Sequence, residues 1–365
     1  MSLPPLVDPV PALSAGERAR TARHLALVGL GEIGQRRLAA AHVAVIGAGG
    51  LGSPAILALV AAGVGTLTVI DHDVVEHANL QRQVLHRLAD VGAAKVHSAV
   101  RVAADLAPET VVRPVRERLT DGNAASLLRG AHLVIDGSDT FETRAAVAAG
   151  CEELGIPLVW GVVQEFHAQV TVFWSAPPAG SAPVRLRDLH RQDEVGELPT
   201  CSAVGVLGAL CLQVGGLLAT EAVKLVTGIG EPLLGRVALI DALAGTQREI
   251  PLRPAVDATA GAPRRAAMPA ADIPQVTAAE MLAAQEAGAT LLDVREPFET
   301  DAGIVGGSVL IPLADFLADP GQIDEGPVVV ICAHGIRAQR AAEALQDRGV
   351  AVSVLAGGLA AWTPA

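Results

Sequence analysis

The chain has 365 residues, is 51% hydrophobic and carries a formal net charge of −12 with no block of lysine or arginine. That is enough material for two ordinary cores, and it excludes a surface suited to nucleic acid or to a membrane. Its 38 glycines and 23 prolines follow no period, so collagen-like and solenoid repeats are excluded as well. Four cysteines, Cys151, Cys201, Cys211 and Cys332, form no C-x-x-C pair, and the opening MSLPPLVDPVPALSAGERAR lacks the basic and apolar regions of a secretory signal. Separate thiols in a reducing, cytoplasmic compartment are expected.

The first strong element is HVAVIGAGGLGSPAILALVAAGVGTLTVIDHD, residues 42–73: an apolar run, a glycine turn, an alanine-rich helical pattern and a second β-rich run. This is a βαβ unit and predicts a parallel sheet. AHLVIDGSDT adds a further apolar run ending in acid, and IPLVWGVV with AQVTVFW extends the sheet as an alternating pair. The uncharged stretch Ala203–Thr220 has transmembrane length, but it is glycine-rich and runs into EAVKLVTG, so a helix buried in a core or subunit interface is expected. GRVALIDALAGTQREIPL reads as two closing strands.

Residues 253–273, RPAVDATAGAPRRAAMPAADI, have the composition of a linker. They separate a first domain, 14–252, from a second, 274–365. The second reads as helix AAEMLAAQEAGA, strands TLLDVRE and VVVIC, helix RAQRAAEALQDRG and strand VSVLAGG. The fold class is α/β throughout: a Rossmann-like mixed sheet followed by a small α/β domain.

Gly47, Gly49 and Gly52 form G-x-G-x-x-G between a strand and a helix, the context in which glycines permit a tight turn and close approach of phosphate. Asp71 lies 71 − 52 = 19 residues beyond Gly52, where an acid bonds a ribose hydroxyl; alone, this pattern indicates an NAD-dependent oxidoreductase. Just beyond it, however, the chain supplies Asn79, Arg82 and Lys95. Two cations and an amide exceed what a dinucleotide needs and suit a triphosphate with an incoming carboxylate. Asp139 ends another strand on the edge where open α/β sheets bind ligands, placed either to hold a magnesium ion or, with Ser138, to cap the helix that follows.

In the second domain, Cys332 ends a strand and leads through a loop to Arg337 at the head of a helix. Backbone N–H groups aimed at the sulfur would favour an anion there. The competing reading is a small buried apolar residue. Cys151 and Cys211 lie in alanine- and leucine-rich helical patterns and are expected to be buried and inert.

GAGGLGSPAILALVAAGVGTLTVIDHDVVEHANLQRQVLH, with VGAAKV, DGSDTFETR and CSAVGVLGAL, resembles the ubiquitin-activating-enzyme-like family that adenylates small sulfur-carrier proteins of molybdopterin and thiamine biosynthesis. The resemblance implies a Rossmann-like sheet in a symmetric homodimer, with ATP and magnesium bound or activated by Gly50, Asp71, Asn79, Arg82, Lys95 and Asp139. Arg23, in TARHLALVGLGEIG, matches the arginine that reaches the triphosphate from the other subunit. Cys201 matches a cysteine that in some relatives links covalently to the carrier; it equally suits a space-filling role at the start of the apolar helix. Thr140 stands where the family has asparagine, and the two C-x-x-C pairs of the family's structural zinc are missing, so no zinc is expected.

LLDVREPFE, IPL, CAHGIRA and LAGGLAAW make the second domain resemble a rhodanese, although AGIVGGSVLIPL lacks that family's histidine before the glycines. The C-x4-R loop implies a persulfide on Cys332, with Arg337 facing the loop and Asp293 or Arg295 bracing it. Together the resemblances imply an adenylyltransferase and sulfurtransferase. Its partners would be a carrier protein ending in Gly-Gly and a sulfur donor such as a cysteine desulfurase or thiosulfate. A non-catalytic carrier-binding scaffold is the alternative outside enzymology.

Overall fold

The computed structural model describes residues 3–189, 205–253, 273–300, 303–323, 326–333 and 335–361, and these fall into two compact units on either side of residues 254–272. The first is built on eight strands: β1 (His42–Ile46), β2 (Thr66–Ile70), β3 (Val111–Val115), β4 (Leu133–Asp136), β5 (Leu158–Gln164), β6 (His167–Phe173), β7 (Arg236–Asp241) and β8 (Thr246–Pro251). Their order is β3-β2-β1-β4-β5-β6-β7-β8, parallel through β5 and antiparallel after it. The order reverses between β1 and β4, which opens a crevice at the carboxyl ends of these strands.

β1 and β4 are buried almost throughout and, apart from His42 at the start of one and Asp136 at the end of the other, consist of Val, Ile, Leu and Ala, as strands covered on both faces must. The sequence reading passed over β3. Its VVRPV is half-exposed and contains a proline, which a sheet tolerates at an edge.

The long apolar helix begins at Gly208 and ends at Thr227, later on both counts than the composition window suggested. It is long and apolar enough to cross a membrane, yet 56% of that stretch is buried within the protein. Gly215 explains the depth: a Cβ there would lie 2.2 Å from Pro54 Cγ and 2.8 Å from the Leu51 carbonyl. The helix therefore crosses the 52–62 helix almost backbone to backbone and holds the glycine turn from behind.

The second unit has five parallel strands in the order β11-β10-β12-β13-β9. These are β9 (Gln275–Val276), β10 (Thr290–Asp293), β11 (Val309–Leu310), β12 (Val328–Ile331) and β13 (Val352–Leu355). Helices Ala278–Glu286, Leu313–Ala318 and Ile336–Asp347 complete it. The two-residue strands β9 and β11 were beyond the reach of pattern reading.

Candidate functional site

A cavity of about 300 Å³ lies in the crevice between β1 and β4. Its floor is the 47–52 turn, which the backbone forces to be glycine-rich. Gly47 has φ +81°, and a Cβ on Gly52 would sit 1.8 Å from the Gly47 carbonyl oxygen. Asp71 braces this turn: Oδ2 accepts from Ala48 N at 2.7 Å and Oδ1 from Asp73 N at 2.8 Å. The residue read as a ribose contact thus also shapes the phosphate turn.

The structure brings Gly47, Gly49, Gly50, Asp71, Arg82, Lys95, Asp139 and Thr140 to the cavity. Gly52 lies behind it, starting the helix. Asn79 is buried in the 77–79 turn, its Oδ1 accepting from Glu76 N, and does not line the cavity. Arg23 is exposed on the short Ala22–Leu25 helix, and it too is outside its own chain's cavity. Cys201 lies outside the described residues.

Lys95 is nearly buried and donates to Asp73 Oδ2 at 2.8 Å. Burial raises the Asp73 carboxyl, but the Lys95 hydrogen bond and charge outweigh this and hold it below its ordinary value. Asp139 is exposed at the lip, and the ligand atoms of Asp71, His72 and Asp73 lie within 4.8 Å of one another. The carboxylate oxygens of Asp71, Asp73 and Asp139 are donors that suit a hard cation such as magnesium. The helix after β4 is capped by Thr140, which accepts from Thr143 N, and not by Ser138 or Asp139. Asp139 is thereby left free of capping, and Thr140, standing where the family has asparagine, has a local task.

Several lining residues, Arg118, Arg144, Gln83 and Ser138 among them, escaped the sequence reading. Arg118 comes from the loop after the unanticipated β3. Arg144 donates from Nε and Nη2 to the Ser138 carbonyl. Gln83 is buried with Oε1 lacking a partner among the described residues, and Ser138 lies beside the Asp136 carboxyl, whose Oδ1 accepts from Ser138 N at 2.9 Å. An unpaired amide oxygen beside cations and open backbone is what a polar ligand would satisfy. Nearby, Asp136 is fully buried; burial pushes its carboxyl above the ordinary range against the pull of Arg144.

Cys151 and Cys211 are both buried, and burial pushes the Cys151 thiol up. Cys211 is more than filler: it lines the cavity beside Gly50, where an added Cβ would be 3.2 Å from its sulfur.

In the second unit Cys332 follows β12 and is 1% exposed. Its Sγ accepts from Gly335 N at 3.1 Å and Ala338 N at 3.4 Å. The loop's carbonyls are tied from below, Cys332 O to Leu359 N and Ala333 O to Ala360 N. Gly358, at φ +65°, must be glycine there, since a Cβ would lie 2.6 Å from both carbonyls. Arg337 makes a bidentate pair with Glu299 at 2.5 and 2.7 Å. The brace is therefore Glu299. Asp293 and Arg295, expected to supply it, are paired with each other at 2.7 Å.

Residues 21–259 match the ThiF family and residues 277–365 the rhodanese-like domain. The chain is 40% identical over 379 residues to a probable adenylyltransferase/sulfurtransferase, MoeZ, of Mycobacterium tuberculosis, covering 99% of this chain and 96% of the relative. It is 32% identical to the adenylyltransferase and sulfurtransferase MOCS3-1 of Zea mays, over 94% of this chain and 81% of that one. The SAMP-activating enzyme E1 of Haloferax volcanii is 41% identical over 66% of this chain and 88% of its own length. The crystal structure of PaaA shares the fold at TM-score 0.55 and 22% identity, over 66% of this chain and 75% of that one. On the glycine turn, the switch-point cavity and near full-length similarity together, the chain belongs to the ThiF family and carries a rhodanese-like domain at its C-terminal end.

Proposed function

We propose that the chain activates the C-terminal glycine of a ubiquitin-like sulfur-carrier protein in the first unit and delivers sulfur to it from Cys332 in the second. That it is an adenylyltransferase and sulfurtransferase rests on similarity over nearly the whole chain. The observation that carries the site assignment is the cavity itself, where Arg82, Lys95 and Arg118 gather around the glycine turn at the carboxyl ends of β1 and β4.

In this reading the triphosphate of ATP lies over residues 47–50. The carrier's carboxylate attacks the α-phosphorus, forming the acyl–phosphate bond as the bond to pyrophosphate breaks. Arg82 and Lys95 neutralise the charge that develops on the departing oxygens, and Lys95 exchanges Asp73 for phosphate. Arg118 adds a third cation at the rim. Asp139, with the 71–73 segment, would hold magnesium, which neutralises phosphate oxygens when bound. Arg23 acts from a second copy in a homodimer. The Cys332 persulfide then attacks the acyl-adenylate and expels AMP. Cleavage of the resulting acyl disulfide by a thiol, with Cys201 as candidate, gives the carrier thiocarboxylate and leaves a disulfide to be reduced.

Asp139→Ala should abolish ATP–pyrophosphate exchange with a Gly-Gly carrier while Cys332 still accepts sulfur. Cys332→Ser should do the reverse. Loss of both activities in either folded variant would refute the division of labour, and NADH turnover without exchange would restore the oxidoreductase reading.

A further inference from the structure

The Cys332 loop carries an arginine that is already occupied. Arg337 is 12% exposed and Glu299 21%; the two terminal guanidinium nitrogens are matched to both carboxylate oxygens, while Nε is buried with no partner among the described residues. Glu299 is itself fixed, because Oε2 also accepts from Glu296 N at 2.9 Å and closes the 297–299 turn. Glu299, first through its hydrogen bonds, and then the charges of Cys332 and Glu296 hold the Arg337 guanidinium above its ordinary value. The other nearby arginine, Arg295, is neutralised by Asp293. Among the described residues, the hydrogen bonds to the sulfur come from backbone, the N–H groups of Gly335 and Ala338.

We infer that Glu299 is a specificity-determining residue of sulfur loading: by pairing with Arg337 it leaves the cradle fit for a monoanionic persulfide and unfavourable to a dianionic donor. This rests on the reading of Cys332 as the persulfide carrier. With an alkyl persulfide, the Cys332 thiolate attacks the outer sulfur of RS–SH, the S–S bond breaks, and Cys332–S–SH and RS⁻ result. With thiosulfate the same attack expels sulfite, giving Cys332–S–S⁻ and SO₃²⁻. Both steps balance without an oxidant or reductant. They differ in the charge brought to the loop: thiosulfate arrives with two negative charges beside Glu296 and Glu299 and meets an Arg337 whose charge is already paired with Glu299.

Glu299→Gln removes the charge while keeping an acceptor for Glu296 N, and so frees Arg337. Loading of full-length protein is followed by intact mass and by peptide mapping to Cys332, with thiosulfate and with a persulfide whose alkyl group is uncharged. The KM for thiosulfate should fall about tenfold and that for the alkyl persulfide should move less than about twofold. Glu299→Asp should retain the wild-type preference. An unchanged donor ratio, or equal loss with both donors, overturns the inference. Loading of neither donor onto wild-type Cys332 overturns the persulfide reading beneath it.

Should the variant fail to fold, the wild-type chain decides. Its thiosulfate KM should vary less than about twofold between ~0.05 and ~0.5 M salt, because a neutralised site has little attraction to screen. A many-fold rise with salt would mean that Arg337 does engage the donor.

Discussion

Gly50→Ala separates the nucleotide turn's chemistry from its stability. Gly50 is not in the left-handed region, so alanine meets no backbone penalty, and the less flexible unfolded chain contributes about 0.4–1 kcal/mol of stabilisation. Against this, the new Cβ stands 3.2 Å from Cys211 Sγ, which must give by a few tenths of an ångström, and in ordinary contact at 3.7 Å with Arg82 Cγ and Cδ. The two effects nearly cancel, and Tm should stay within about 3 °C of wild type. The methyl nevertheless occupies the cradle where phosphate would approach the backbone, and displacement of the reacting phosphorus by about 1 Å costs on the order of 100-fold in rate. ATP–pyrophosphate exchange with a Gly-Gly carrier, measured beside thermal unfolding, should therefore show an inactive but stable protein. Adding Cys211→Ala relieves the packing contact and should not restore exchange. Gly52→Ala is the control: its Cβ would lie 1.8 Å from a carbonyl oxygen, and a loss of more than about 4 kcal/mol is expected. Wild-type exchange in Gly50→Ala would place the phosphates elsewhere and refute the site.

Mixing Arg23→Ala with Arg82→Ala protein should recover about a quarter of wild-type exchange, since random pairing makes half the dimers mixed and one of their two sites complete; no recovery would remove Arg23 from the partner's site. Burial, partly offset by a hydrogen bond with the Ala48 carbonyl, holds the His86 imidazole below its ordinary value of about 6.5. Between these two values the unfolded chain binds the extra proton, so stability is present above about pH 6.5 and is lost as pH falls through the window; Tm should drop by about 2 °C or more from pH 7 to pH 5, and less in His86→Asn. His42 and His132 are lowered too and act with the same sign. Residues 175–200 and 250–262 contain no cysteine, so metal analysis of dialysed protein should find well under about one zinc per chain.

The features legible in the sequence were those whose meaning is local. The glycine turn, the acid after β2 and the cysteine loop each signal within a dozen or so residues, because a turn, a cap or a nest is a short-range object. Residues whose role comes from strand order stayed hidden. Arg118 reaches the cavity only because β3 pairs with β2, and β3 is too short and exposed to announce itself. Glu299 is 38 positions from Arg337, and nothing at either site marks the pair, whereas Asp293 and Arg295, two apart and conspicuous, satisfy each other. Gln83 sat inside a motif read for its arginine, and only its burial with an orphaned oxygen exposes its part. Asn79 stands behind the cavity wall: its amide oxygen serves the turn that presents Arg82.

The ends of the two sheets bear on how this protein behaves when concentrated. β3 and β8 border the larger sheet; the first carries Arg113 and Pro114, and the second, exposed along its whole length, carries Arg248, Glu249 and Pro251. β9 and β11 border the smaller sheet and are two residues long. Charge, proline and brevity each frustrate the addition of a foreign strand. Among the described residues all four borders are blunted in this way, which disfavours cross-β growth from the native state and association through strand edges.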